Sequence, residues 1–163
     1  MTATTIRRRA ALALAIAALA ATTTVALGAN AAAGDARCRP VAGKLEERQV
    51  EAPPGVFAAE GRLTGGIQGT DRFTMRFDDL SDPIAGTTVS QFVGRSVIET
   101  RTGEIDTIVV GAFDTQTGRF SDLFTIVGGT GDWDGATGQL HLYGAFDLAS
   151  GTGTSDYRGE VCT

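Results

Sequence analysis

The sequence predicts an all-β protein: an eight-stranded antiparallel closed barrel with its termini joined by one disulfide. Three observations lead to this fold class. Beyond residue 33, short runs of alternating apolar residues replace any 3.6-residue helical period. Gly, Asp, Thr or Pro interrupts these runs about every ten residues, as in a meander of hairpins. Finally, the chain has two cysteines, Cys38 and Cys162, which lie near the two ends of this region.

Residues 1–33 have the pattern of a secretory signal peptide. Arginines at 7–9 precede an alanine-rich apolar stretch at 10–27, and small residues that resemble an A-x-A cleavage site follow. A membrane anchor is the alternative, but the run barely reaches the roughly 20 strongly apolar residues that a span needs. We therefore predict a leader at 1–33, one domain at 34–163, and a secreted, extracellular protein without stable membrane insertion after cleavage.

The charge of the mature domain excludes some partners. Loss of three arginines with the leader leaves 11 of the 14 basic residues against 19 acidic ones, a net charge of about −8. Nucleic acids and anionic membranes require a concentrated positive patch, which this chain does not supply. No nucleic-acid partner is expected.

Eight strands are predicted from the alternating runs, in order along the chain, and glycine-containing turns connect several of them as hairpins. Closure of such a meander removes exposed sheet edges and pairs the first strand with the last, which brings Cys38 beside Cys162. Two cysteines in an exported domain predict a disulfide, whereas two isolated thiols make a poor metal site. The predicted strands span 41–50, 57–64, 71–79, 88–100, 104–114, 119–127, 136–147 and 152–161.

The connection between the sixth and seventh strands is rich in glycine and aspartate. Residues 127–138 read Val-Gly-Gly-Thr-Gly-Asp-Trp-Asp-Gly-Ala-Thr-Gly, and glycines at both strand ends permit the sharp bends of a barrel corner. Asp132 and Asp134 raise the alternative of a calcium loop. The further oxygen ligands and distal glutamate of an EF-hand are absent from this segment, so no metal is expected.

This segment resembles the V-G-G-T-G-x-F-x-x-A-x-G signature of dirigent-like and allene-oxide-cyclase-like barrels, with Trp133 at the aromatic position. Residues 111–120 are similar to the strand and hairpin that precede the signature in that family, and the likeness covers about residues 89–161. Gln139 departs from the aromatic residue that commonly follows. The resemblance implies a barrel with an apolar cavity at one mouth, a small apolar partner, no cofactor and, as is common in the plant members, a homo-oligomer. It transfers no catalytic residue.

Candidate site residues come from the strand faces. On the sixth strand, Asp122 shares a face with the apolar Phe120, Phe124 and Ile126. Burial raises the pKa of an unpaired carboxyl, which can then donate a proton near neutral pH. The alternative is that Asp122 lies at the rim of the barrel or forms a salt bridge.

The sequence does not decide which face of the fourth strand points into the barrel. Gln91 and Arg95 lie on one face, and Phe92 and Ile98 lie on the other. If the first face points inward, Arg95 pairs with Asp122 or orients a substrate carbonyl. Asp122 and Arg95 are therefore the candidate catalytic residues, and the candidate substrate-binding residues are Gln91, Phe124 and Trp133.

Two apolar faces predict which side chains point into the barrel. They contain Phe73, Met75 and Phe77 on the third strand, and Leu140, Leu142 and Phe146 on the seventh. The chain's single histidine, His141, then points outward with Tyr143, so His141 is interpreted as a surface residue. No nucleophile-elbow motif accompanies it, which argues against Ser-His-Asp chemistry.

Three functions remain open from the sequence. The first is a secreted small-molecule cyclase, isomerase or dirigent-like stereochemical guide that acts by confinement, without a cofactor. The second is a non-catalytic binder of an apolar ligand, and the third is a structural barrel of the cell envelope. An enzyme needs a cavity with convergent polar groups, a carrier needs a mainly apolar cavity, and a structural barrel needs none.

Overall fold

The segments with alternating apolar residues form eight strands, which close into one antiparallel barrel. The structure, a computed structural model, describes residues 37–163, so the predicted leader at 1–33 lies outside the described residues. The prediction of an all-β closed barrel is confirmed, and the predicted strand bounds differ from the observed ones by at most three residues. Within residues 37–163, no helix is long and apolar enough to cross a membrane. The strands are β1 (Cys38–Gln49), β2 (Val56–Gly65), β3 (Gly69–Leu80), β4 (Val89–Thr100), β5 (Gly103–Asp114), β6 (Arg119–Gly129), β7 (Thr137–Asp147) and β8 (Thr152–Cys162).

The barrel closes through the pairing of its first and last strands. β1 and β8 are antiparallel, and Cys38 lies directly opposite Cys162 in their register. A disulfide with an S–S distance of 2.07 Å joins the two residues across a sequence separation of 124. The predicted disulfide is therefore confirmed, and it lies at the strand pair that closure requires.

Side chains alternate between the interior and the outer wall along the strands, and a shift in the register of β3 against β4 between Met75 and Leu80 interrupts this alternation. The predicted inward faces of β6 and β7 are confirmed, and His141 and Tyr143 point outward as expected. On β3, Phe73 and Met75 point inward as predicted, whereas Phe77 lines the cavity but is 52% exposed. On β4, Phe92 and Ile98 are buried, so the inward side is the one that carries these two large apolar side chains. Gln91 and Arg95 consequently lie exposed on the outer wall.

One end of the barrel, which we call the closed end, is filled by side chains. It holds the disulfide and the connections β2–β3, β4–β5 and β6–β7. The hydroxyl of Tyr157 accepts a hydrogen bond from the Ile67 amide at 2.8 Å and lies 3.0 Å from the Thr64 carbonyl oxygen, to which it can donate. This contact fixes the β2–β3 connection over the core. Apolar side chains that are almost fully buried fill the same end: Ile67, Ile98, Ile105, Ala136 and Val161.

The glycine-rich β6–β7 connection packs against the β4–β5 hairpin backbone to backbone. Gly131 has a φ of +63°, and a Cβ atom there would overlap the carbonyl oxygen of Thr102. Only glycine fits such a close approach with that backbone conformation. A short 3₁₀ turn, Gly131–Trp133, then directs the buried Trp133 ring into the closed end, where its Nε1 donates to Oγ1 of Thr100 at 2.9 Å.

The double variant Cys38→Ala/Cys162→Ala should fold into the same barrel but unfold at lower urea concentration. A cross-link over such a long loop contributes about 4 kcal/mol in the chain-entropy model, because it restricts the unfolded chain. Urea titration followed by circular dichroism measures the loss, with the disulfide-reduced native protein as the matched control. A loss below about 1 kcal/mol would show that the β1–β8 ends are held without the disulfide.

Candidate functional site

The opposite end of the barrel, the open end, contains a cavity of about 210 Å³. The connections β1–β2, β3–β4, β5–β6 and β7–β8 surround its mouth. The rings pack edge to face in pairs such as Phe57–Phe146, with centroids 5.7 Å apart, and Phe73–Phe92, 5.8 Å apart. All eight phenylalanines of the chain line this cavity: Phe57, Phe73, Phe77, Phe92, Phe113, Phe120, Phe124 and Phe146.

Three carboxyl side chains line the same aromatic cavity. They belong to Glu47 on β1, Asp71 on β3 and Asp122 on β6. Among the described residues that line the cavity there is no lysine, arginine or histidine. The carboxyls therefore share the cavity with the phenyl rings, without a cation among the described lining residues to neutralise them.

Of the three carboxyls, Asp122 has the pKa that is raised furthest above its ordinary value. Gly111 lies opposite it on β5, and a Cβ atom on Gly111 would overlap Oδ1 of Asp122. The missing side chain thus makes the space that the carboxyl occupies. Oδ1 is buried and has no hydrogen-bond partner among the described residues. Burial, and secondarily the charge of Glu47, raises the pKa of Asp122 to about 8.

Asp71 and Glu47 both lie beside Gly61 on β2, which opposes each of them in the sheet register. Asp71 is only 1% exposed and accepts a hydrogen bond from Oγ of Ser96. Burial raises its pKa to about 7, although this hydrogen bond acts in the opposite direction. Burial, and then the charge of Asp71, raises the pKa of Glu47 to about 7.

The three carboxyls therefore interact as one group. Asp71 raises the pKa of Glu47, and Glu47 raises that of Asp122. Ionising all three at once in an apolar environment is unfavourable, because like charges repel strongly where water does not screen them. Near neutral pH the cavity thus retains protons on carboxyls that can both donate and accept them.

The structure separates the residues that the sequence proposed for the site. Asp122 and Phe124 line the cavity. Trp133 is buried at the closed end, at the other end of the barrel, and its role there is to fill the core and bond Thr100. Gln91 and Arg95 lie on the outer wall because Phe92 and Ile98 take the inward positions of β4. The expected pairing of Arg95 with Asp122 is therefore wrong.

Sequence reasoning missed Glu47 and Asp71, although a signal for both was present. Asp71 shares a strand face with the inward Phe73, just as Asp122 shares one with Phe124. Glu47 shares a face with Leu45, which is 2% exposed. The same period-2 argument that identified Asp122 identifies these two carboxyls when it is applied to every strand.

Comparisons with known protein families and with curated proteins find no match. Among solved structures, the chain is similar to the Diels Alderase AbmU from Streptomyces koyangensis. The two share 14% sequence identity with a TM-score of 0.44, and the match covers 81% of this chain and 71% of that one.

Replacement of a cavity carboxyl should stabilise the fold at alkaline pH. Because the folded-state pKa of Asp122 lies above its unfolded value, folding favours the protonated form. The stability that this provides is present at low pH and is lost as pH rises toward about 8. Asp122→Asn removes this dependence, so its effect on the free energy of unfolding should be more stabilising near pH 8 than near pH 5, by more than about 1 kcal/mol, because only a small part of the loss has developed at pH 5.

Urea unfolding at the two pH values measures this difference. Asp156→Asn, which removes an acidic group that is 77% exposed on the outer wall, is the matched control and should show no such pH-dependent gain. Destabilisation by Asp122→Asn at both pH values would mean that the carboxylate has a stabilising partner in the fold.

Proposed function

We propose that this protein is an exported small-molecule cyclase or isomerase that confines its substrate in the open-end cavity and transfers a proton with Asp122. One observation carries the proposal: the Oδ1 atom of Asp122 is unpartnered among the described residues, in a cavity lined by phenyl rings. A polar atom buried without a partner is costly, and such atoms are enriched where a ligand or a reaction supplies the missing contact.

The chemistry follows from the protonation of the cavity. With its pKa raised to about 8, Asp122 holds a proton at neutral pH and can donate it to a substrate atom as charge develops there. Glu47, coupled to Asp122, can accept a proton from another atom of the same substrate. Cyclisation and isomerisation are redox-neutral, and the proton that Glu47 takes from the substrate matches the one that Asp122 gives up. Return of a proton from Glu47 to Asp122, directly or through solvent, then restores the starting state. The phenyl walls exclude water and restrict the substrate to one folded conformation.

Two features beyond the cavity support export of the protein and its association into a homo-oligomer, which we also propose. The Cys38–Cys162 disulfide suits an oxidising compartment and agrees with the secretory pattern of residues 1–33. The outer wall exposes Val93, Val110 and Tyr143, and such a patch supports association of copies into a homo-oligomer.

A non-catalytic carrier is the second candidate. The large apolar share of the cavity lining favours it, because seventeen residues line the cavity and only Glu47, Asp71, Asp122 and Thr115 among them are polar. The two candidates differ in whether the bound molecule leaves chemically changed.

Native mass spectrometry of the protein from its producer's culture medium should reveal a co-purified small molecule and count the subunits. Met75 lines the cavity and is partly buried, so Met75→Trp adds an indole that fills the space and should abolish the co-purification. Recovery of the same molecule with Met75→Trp would place the binding elsewhere. An empty native protein that also ignores hydrophobic probes would favour a structural barrel.

Once the substrate is known, Asp122→Asn should lower turnover by about 10²-fold or more, which is typical for loss of a general acid. The native rate should fall as pH rises through about 8, because deprotonation removes the donor. Steady-state kinetics of both proteins from about pH 5 to 9, with Asp156→Asn as the control, provide the measurement. Unchanged turnover with Asp122→Asn, together with retained binding, would favour the carrier.

A further inference from the structure

We propose that the ligand of the open-end cavity is a hydrophobic organic cation, with its ammonium group among the carboxyls of Glu47, Asp71 and Asp122 and its apolar body against the phenyl rings. This inference rests on the proposed function, because it specifies the substrate class of the same cavity.

The charge of the cavity wall is the first argument. Three strands contribute one carboxyl each to the lining: Glu47 from β1, Asp71 from β3 and Asp122 from β6. Among the described lining residues, those from β2, β4, β5 and β7 are not ionisable, and β8 contributes none. Ionisation of these carboxyls gives the cavity negative charge, which repels an anionic ligand and gives an ammonium group a charged partner.

The aromatic lining is the second argument and is independent of the first. The faces of phenyl rings carry negative charge density and attract cations, most strongly where water is excluded. The concentration of all eight phenylalanines of the chain in one cavity gives an ammonium group such faces beside the carboxyls. A cage of this kind suits alkylated ammonium groups in particular, because they are poorly hydrated and bury apolar carbon.

The mouth of the cavity supplies the third argument. Asp114 lies on its rim, and hydrogen bonds from Thr88 and the Gln116 amide hold its pKa at about 2. Asp147 is likewise kept ionised, because the Ala149 amide lowers its pKa. The four open-end connections and the adjoining strand ends carry more acidic than basic residues: Glu51, Asp78, Asp79, Asp82, Asp114 and Asp147 against Arg48, Arg76 and Arg119. Charge of one sign around a cleft concentrates ligands of the opposite sign at its entrance.

A bound cation also accounts for the coupling of the carboxyls. In the free cavity, protons reduce the charge of the three carboxyls, and an arriving ammonium can take the place of one of these protons while the others remain for transfer. Binding then releases protons and strengthens as the pH rises, because ionised carboxyls attract the cation. A neutral ligand of the same shape gains nothing from ionisation of Glu47, Asp71 or Asp122.

The test compares three probes of one shape and different charge: 2-phenylethylamine, 2-phenylethanol and 3-phenylpropanoate. Isothermal titration of the purified secreted protein is performed at about pH 8 and about pH 5, a range in which the alkylamine stays protonated. The variants are Asp122→Asn and Glu47→Gln, and Asp156→Asn is the control that removes an equal charge from the outer wall.

We expect the amine to bind about tenfold or more tightly than the alcohol at pH 8, and 3-phenylpropanoate not to bind. Amine affinity should drop about tenfold at pH 5 and in each cavity variant, while Asp156→Asn binds as the native protein does. Alcohol binding equal to or tighter than amine binding, when blocked by Met75→Trp, would overturn the cation inference and leave the cavity function standing. Failure of all three probes to bind would also overturn the cation inference. The turnover assay of Asp122→Asn tests the proposed function separately.

Discussion

Pairing of β1 with β8 is the constraint on which the rest of the molecule depends. Once this pair forms, no strand edge of the sheet remains open, and every strand has one face enclosed by the other seven. The enclosed faces must then be filled or left as a cavity. The disulfide at the Cys38–Cys162 position of this pair holds the register, and one residue of slip would exchange the interior and exterior faces.

Side chains fill the interior of the barrel at the closed end but not at the open end, and this difference creates the cavity. At the closed end, branched aliphatic side chains and Trp133 occupy the cross-section, and Tyr157 fastens a connection over them. At the open end, the inward positions are taken by phenylalanines whose rings line a cavity. Gly61 and Gly111 lie opposite the interior carboxyls in the sheet register, and the missing side chain of Gly111 gives the carboxyl of Asp122 room. The same absence of side chains therefore serves two purposes: close backbone approach at one end and space for acidic groups at the other.

Interior carboxyls without cationic partners are a cost to stability that packing elsewhere must offset. Carboxyls with raised pKa values are enriched at functional sites, and here the three carboxyls are coupled to one another and line a cavity of phenyl rings. The proposed proton transfer and the proposed recognition of a cation would both use this arrangement. Both depend on carboxyls held in an apolar cavity at the end of the barrel where the mouth is acidic.

The sequence by itself determined the fold class, the strand order, the disulfide and the interior position of Asp122, because alternation and turn residues are local properties that each strand displays alone. It did not determine the inward face of β4, since Val93 and Val97 on one side compete with Phe92 and Ile98 on the other. Only the closed barrel decided that Arg95 and Gln91 point outward, that Trp133 fills the opposite end, and that Glu47 and Asp71 share a cavity with Asp122. These are relations between strands far apart in the chain, and the register and closure of the whole sheet fix them.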